Sequence, residues 1–423
     1  LAAKLARHFG SRKGQFAIIG LTNSIDDLPV LNLALLQTTA RQARSEGGNC
    51  MRLGGAECFV LRWPEPNDFN HDRMTLLVRV DTAEGISGWG EAIAMWPEAL
   101  RATETIIRDG LLPVLAERDL GDVEGCWQAM KNHCWWYGEG GIASMAISAL
   151  DMALWDIKAK DAGKPLVELF GAHHQSLPVC ASLHVNQATI EDSVREISGH
   201  IAGGFRSTKL GLGKRGLSKA GRDPDYDVAL VAALREAIGP EAGIMVDAGN
   251  GTKWDLDTAI RTVKRMEESG IAWIEEPFLP SQVADHVALK AAVSTPVAVG
   301  EREFTVAGYQ RWLDTGAADV LGLDPARIEG VTGFRKAAAV IEAAGKTVNA
   351  HAWSTAVLTG ASLHLSLASK AAELFELKPL VGPMQFELID EPFWHENGLI
   401  SAPSRPGHGA EPRADVLAKY RVN

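Results

Sequence analysis

The chain has 423 residues, 46% of them hydrophobic, and a formal net charge of -11 from 42 Lys and Arg against 53 Asp and Glu. That size allows a substantial core and more than one structural unit. No apolar run reaches the roughly 20 residues of a membrane span, and the acidic balance argues against a general nucleic-acid binder. Five cysteines, at positions 50, 58, 126, 134 and 180, are odd in number and form no Cys-x-x-Cys pair. They fit a reducing cytoplasm better than a disulfide scaffold.

Residues 1–50 are expected to be an extension outside the fold. LAAKLARHFGSRKGQ is basic and suits a short amphipathic or transit-like helix, whereas Met51 opens a strand pattern, MRLGGAECFVLRW. From 51 to 97 strands dominate, with MTLLVRVDT and ISGWGEA alternating around the turn AEG as in a hairpin sheet. The stretch 99–169 reads as helical. Its clearest member is GIASMAISALDMALWDIKAKDAG, stopped by Gly163 and Pro165. Met145, Met152 and Trp155 in it are packing residues.

After about 176 the rhythm changes to strand–helix alternation. Candidate strands are 177–184, 205–212, 242–249, 272–277, 295–301, 318–324, 346–351 and 372–377, separated by amphipathic stretches such as DVALVAALREAI and LDTAIRTVKRMEES. Eight such strands predict a parallel barrel. The tail from 386, rich in Pro and Gly, is expected to return to the first unit. The predicted division is therefore 1–50 extension, 51–175 α+β cap, 176–385 barrel and 386–423 completing the cap.

Chemistry gathers at the strand ends. Asp247 in IMVDAGN, Glu275 in WIEEP and Glu301 in VAVGE close successive apolar runs, 28 and 26 residues apart. One such carboxylate is an ordinary helix cap or solvated loop. Three at equivalent ends form a ligand set for a hard divalent ion, which prefers carboxylate oxygens. Glu276 is expected to point away from Glu275, and Glu303 to lie in an exposed turn beyond Glu301. Asp324 in GLDPARIEG precedes His351 in TVNAHAW, so that a carboxylate can fix the tautomer of the imidazole and raise its basicity. Glu376 ends the eighth strand. Lys209 in FRSTKLGLG points into the barrel, which is costly unless it meets anions. Lys214, Arg215 and His184 are each open to a surface or a substrate role. Residues 64–72 with Trp135, Trp136 and Tyr137 are expected to form a lid, with Asn70 and His71 reading substrate hydroxyls.

These residues, in this order and spacing, resemble the enolase superfamily, and most of all its mandelate racemase branch, over essentially 51–423. The resemblance implies an α/β fold, a modified (β/α)7β TIM barrel with an α+β capping domain. It implies Mg²⁺ held by Asp247, Glu275 and Glu301, and a metal-bound enolate formed by loss of the proton alpha to a carboxylate. His351 is then the base, oriented by Asp324, and Lys209 and Glu376 stabilise the carboxylate oxygens. One departure matters. Racemases of the branch resemble Lys-x-Lys on the second strand, where this chain reads Lys209-Leu210-Gly211, and Arg327 stands where lysine is frequent. Both changes weaken racemisation, which needs a proton-transfer group on each face, and predict processing of one C2 epimer.

The expected activity is a sugar-acid dehydratase giving a 2-keto-3-deoxy acid, with His351, or otherwise His184 or a loop residue, as the acid for the leaving hydroxyl. A cycloisomerase acting on a sugar-acid lactone or anhydro acid is the nearest alternative, and a non-catalytic binding protein on the same barrel is the third. The expected partner is a small sugar acid, without nucleic acid or membrane, and the chain is expected to be a cytoplasmic homo-oligomer.

Overall fold

The computed structural model describes residues 50–249 and 251–422; the extension expected over 1–49 lies outside the described residues. Three antiparallel strands open the fold: β1 (Leu53–Glu65), β2 (His71–Thr82) and β3 (Ser87–Ala92). The expected alternation holds only toward the end of the middle strand, where Val80 and Thr82 are buried; from Thr75 to Val78 every residue is buried. The helix Gly141–Asp161 lies across β3. Glycine at 88 and 90 admits it, because a Cβ there would stand 2.2 Å from the Ala153 carbonyl oxygen and 1.9 Å from that of Ala149. Met145, Met152 and Trp155 on this helix are buried, as expected of packing residues.

The second body is a barrel of parallel strands: β4 (Leu177–His184), β5 (Ser207–Gly211), β6 (Gly243–Asp247), β7 (Trp273–Glu275), β8 (Val297–Val299), β9 (Val320–Leu323), β10 (Thr347–Ala350) and β11 (Phe375–Leu377). They run in the order β10-β9-β8-β7-β6-β5-β4-β11, and the bridge Val348↔Ala372 joins the two ends. A helix follows each of the first seven strands, which makes a modified (β/α)7β TIM barrel capped by the N-terminal antiparallel sheet. Thr189, Asp223, Asp255, Thr305 and Thr355 each accept a backbone N–H at the start of one of these helices. Such caps satisfy donors that the helix itself leaves open, and so mark where each loop ends. β5 is buried at every position, as a strand covered on both faces must be.

The tail touches both bodies. β12 (Leu399–Ile400) pairs with β4, and Arg421 bridges Leu61 of β1 while the Val422 N–H donates to Val60 O.

Two buried carboxylates fasten the cap to the barrel mouth. Glu65, at the end of β1, accepts from Lys378 Nζ (2.6 Å), Trp63 Nε1 (3.1 Å) and the backbone N–H and side-chain amide of Asn67 (3.1 and 2.9 Å). Lys378 also donates to the Ser354 carbonyl at 2.9 Å. Glu91 on β3 accepts from Thr75, Ser354 and Thr355 hydroxyls and from the Leu358 N–H. Burial by itself would raise the pKa of Glu65, but the charge and hydrogen bond of Lys378 outweigh it and bring the group down to about 2. Lys378 bears the desolvation cost, and its own pKa falls. Because the folded pKa of Glu65 is depressed, its contribution is complete above the ordinary carboxylate range and is lost as pH falls toward 2. Glu65→Ala or Lys378→Ala, each leaving a buried charge unpaired, should cost about 3–5 kcal/mol in urea unfolding, whereas the double change to Leu and Met should cost far less. Single variants as stable as the wild type would show that this pair does not fasten the cap.

Candidate active site

Register places the site before any side chain is considered. His184↔Gly211, Gly211↔Asp247 and Asp247↔Glu275 are consecutive partners across β4–β7, so these four residues form one row at the carboxyl ends of the strands. Asp324 and His351 each lie one residue past their strands, and Glu301 stands two residues past β8, across Gly300 with φ 114°. Glu376 sits inside β11, with Leu377 after it, so it does not end the strand.

His184, Gly211, Asp247, Glu301 and His351 line one cavity of about 220 Å³, whereas Glu275, Asp324 and Glu376 are not part of its lining. Lys209, Lys214, Arg302, Arg327 and Trp353 line it too. Lys209 extends into the barrel with Nζ 3.0 Å from Glu275 Oε1 and 2.8 Å from Glu376 Oε1, its side chain only 4% exposed. Burial would lower its pKa, but the surrounding carboxylates raise it well above the ordinary lysine value. Glu275 also accepts from Trp273 Nε1 at 3.1 Å, and Glu376 accepts from Asn349 Nδ2 at 2.6 Å. Burial, against the pull of Lys209, raises the Glu275 carboxyl above the usual range.

His351 Nδ1 lies 2.8 Å from Asp324 Oδ2, and its Nε2 lies 3.7 Å from Glu301 Oε2. Asp324 Oδ1 accepts the Ala326 N–H at 2.8 Å, which fixes the carboxylate that fixes the ring. Burial pulls the imidazole pKa down; Asp324 and Glu301 more than offset it, and the net shift is upward.

Among the described residues, no three His, Cys, Asp or Glu side chains stand closely enough around one point to hold an ion as they are. The reason is visible in the pairing, since each carboxylate leans on a neighbouring cation. Glu275 leans on Lys209, Asp247 Oδ2 stands 3.6 Å from Lys214, and Glu301 Oε1 stands 3.9 Å from Arg302. The donor set still fits a hard divalent cation: three carboxylates from adjacent strand ends, with Asp247 Oδ1 buried and lacking a hydrogen-bond partner among the described residues.

Several expectations are corrected. Glu276 does not continue the strand and turn away; its φ of 42° ends β7, and its carboxylate accepts the Gly300 N–H at 3.2 Å and stands 3.1 Å from Arg302. Glu303 is buried rather than exposed, its Oε1 accepting from Trp312 Nε1 (2.7 Å) and Arg311 (2.8 Å). Trp135, Trp136 and Tyr137 are exposed and do not line the cavity, nor do Asn70 and His71, which a tight turn through Phe69 and Asn70 (φ 57° and 54°) leaves outside. The cap's contribution comes instead from Arg73, Ile93, Met95 and Trp96. Of the two ambiguous loop cations, Lys214 lines the cavity while the Arg215 side chain is 60% exposed.

Strand-end carboxylates, an inward lysine and an Asp–His pair thus gather at one mouth of the barrel. The comparisons identify the family. The family described as "Enolase C-terminal domain-like" matches residues 192–416, and "Mandelate racemase / muconate lactonizing enzyme, N-terminal domain" matches 69–171. The chain belongs to the enolase superfamily, in its mandelate racemase/muconate lactonizing enzyme branch. It is 30% identical over 347 residues to the 3,6-anhydro-alpha-L-galactonate cycloisomerase of Streptomyces coelicolor, covering 82% of this chain and 91% of that one. It is also 30% identical over 343 residues to the D-galactonate dehydratase of Ralstonia pickettii, covering 79% and 88%. Among solved structures, a racemase from Streptomyces coelicolor with bound magnesium superimposes with a TM-score of 0.79 at 28% identity, covering 88% of this chain and 100% of that one.

Position 211, where the racemase pattern has its second lysine, is not an empty site. A Cβ there would meet His184 Cδ2 at 2.9 Å, the Leu183 carbonyl at 3.1 Å and Lys214 Cε at 3.3 Å. Gly211→Ala should therefore destabilise the fold by about 1–3 kcal/mol, the usual result of overfilling a packed interior, measured by urea unfolding. An unchanged midpoint would mean that the space above Gly211 is not filled as described.

Proposed function

We propose that the protein is an Mg²⁺-dependent sugar-acid dehydratase. In this reading residues 51–175 and 386–423 form the cap and 176–385 the catalytic barrel. The observation that carries it is the His351–Asp324 pair at 2.8 Å, opening on the same cavity as Lys209, Asp247 and Glu301.

Asp247, Glu275 and Glu301 would hold the cation, which when bound supplies positive charge to the substrate carboxylate as the adjacent C–H bond weakens. His351, with Nδ1 held by Asp324, accepts the C2 proton at Nε2. Lys209 donates to the substrate carboxylate oxygens, where charge gathers as that proton leaves, and Glu376 holds Lys209 in place for this. Loss of the C3 hydroxyl then gives the enol of a 2-keto-3-deoxy acid. Gly211 supports elimination over racemisation, because β5 supplies no titratable side chain at that position. The similarity to dehydratases supports the same reading, and catalytically active relatives argue against a mere binding protein.

Cycloisomerisation is the second reading, favoured by the likeness to the anhydrogalactonate cycloisomerase over 82% of the chain. Both begin with the same proton abstraction and differ in the oxygen expelled. Among the described residues no helix is long and apolar enough to cross a membrane, and a small polar acid suits the cavity.

A panel of aldonic, aldaric and uronic acids, with anhydro and lactone forms, should yield a 2-keto-3-deoxy acid with Mg²⁺. A rearranged acid formed without loss of water would favour the cycloisomerase, and no reaction with any of them would defeat both readings. His351→Asn should abolish C2 hydrogen exchange in deuterated buffer yet leave Mg²⁺ binding, measured by calorimetry, near wild type; exchange at the wild-type rate would remove His351 from the role. Glu275→Gln should weaken Mg²⁺ at least as much as the about 10–100-fold that loss of an outer partner costs, and undiminished binding would take Glu275 out of the ligand set.

A further inference from the structure

The cavity contains a second carboxylate–imidazole pair. His184, the last residue of β4, has Nδ1 3.0 Å from Asp68 Oδ1, and Asp68 comes from the cap turn between β1 and β2. Asp68 is itself held. Its Oδ2 accepts Arg73 Nε at 3.1 Å, and although burial raises its pKa, His184 and Arg73 bring it down to about 2, so it is a carboxylate. The ring of His184 stacks on Trp353 at 4.4 Å and 20°, and Trp353 Nε1 donates to Ser182 O at 3.1 Å. Orientation, tautomer and ring plane are thus all fixed, which an imidazole serving only as filler does not require.

The placement of the ring is equally specific. Register puts His184 beside Gly211, and the Cδ2 edge of the ring, adjacent to Nε2, covers that glycine. A residue without a side chain on β5 is what allows an imidazole from β4 to occupy this position. His351 reaches the same cavity from β10, so the two histidines enter from different walls.

We propose that His184, positioned by Asp68, is the general acid that protonates the departing oxygen; the inference rests on the elimination reading above. His351 takes the C2 proton and leaves the C–H electron pair in the enolate of the substrate carboxylate; that pair then forms the C2=C3 bond as the C3–O bond breaks. The oxygen leaves with that bond's pair, takes the Nε2 proton of the His184 imidazolium and departs as water. Ketonisation restores both groups: His351 gives its proton to C3, and the enol hydroxyl proton returns to His184 through solvent. A cycloisomerase expelling a ring oxygen needs the same donor. Burial, with Lys214 and Arg73 adding to it, holds the His184 pKa below the ordinary imidazole value against the pull of Asp68, which makes the imidazolium a stronger acid. Asp68 is a positioning residue, since it acts through the ring.

The test compares two leaving groups. Probes are galactonate and 3-deoxy-3-fluorogalactonate, or the corresponding pair for whichever acid of the panel is turned over; fluoride departs without needing a proton. His184→Gln should lower elimination of the hydroxyl by about 10²–10⁴-fold, the usual worth of a positioned acid. Fluoride elimination should stay within an order of magnitude of wild type, as should C2 exchange in deuterated buffer. Asp68→Asn should show the same split with a smaller loss. Unimpaired hydroxyl elimination in His184→Gln would overturn the proposal. Equal loss on both probes in both variants would also overturn it and reduce the pair to a structural tie. Absence of C2 exchange in the wild type would instead sink the elimination reading itself, which keeps the two failures apart.

Discussion

Burying Asp247, Glu275 and Glu376, with the half-buried Glu301 beside them, is possible here because Lys209 is buried with them. Asp247, Glu275, Glu301 and Glu376 all raise its proton affinity or pair with it, and two lie within 3.0 Å of Nζ. Unpaired, such charges would cost several kcal/mol each to desolvate. Arg302 and Lys214 take the carboxylates at the edge of this cluster. The result is a network in which each acid faces a cation, and the pairing stabilises the mouth.

The cap is continuous with this chemistry. Ser354 and Thr355, just past His351, are held by Glu91 from β3, and the Ser354 carbonyl is held by Lys378, itself paired to Glu65 from β1. The same turn that follows Glu65 carries Asp68 to His184. Trp353 lies at the centre, with His184 stacked on it and the Arg73 guanidinium 4.4 Å from its ring centroid. Packing and the two carboxylate–imidazole pairs thus share one set of residues, and a change in cap geometry would reach the imidazoles directly.

At Gly211 one strand position decides what occupies the mouth: with no side chain on β5 there, the ring of His184 from β4 fills the space, its Cδ2 2.9 Å from where a Cβ would stand. The groups on the His351 side are unaffected, because they come from β9 and β10. Proton abstraction can therefore be retained while the fate of the other face changes, which accords with dehydratases, cycloisomerases and a racemase all being similar to this chain.

The sequence by itself determined the barrel, because strand–helix alternation is a local period and most strand ends are marked by a carboxylate or histidine in short motifs, β5 and β11 excepted. Asp247, Glu275, Asp324 and His351 were legible for that reason, and all lie at or one residue past a strand end. Local pattern misjudged Glu276, where a left-handed backbone conformation ends the strand, and Glu303, whose burial depends on Trp312 and Arg311. It also wrongly placed Trp135, Trp136 and Tyr137 in the lid, although the segment 64–72 does bring Asp68 to His184: exposed aromatics are conspicuous in sequence, whereas Arg73 and Met95 are not. What only the tertiary structure decided is the pairing of Asp68 with His184 across 116 residues. Periodicity along the chain specifies which way a side chain points from its own strand. Which charge it meets depends on how the cap turn docks on the barrel, and that is set by the buried contacts of Glu65 and Glu91, which join segments too far apart for any local pattern to relate.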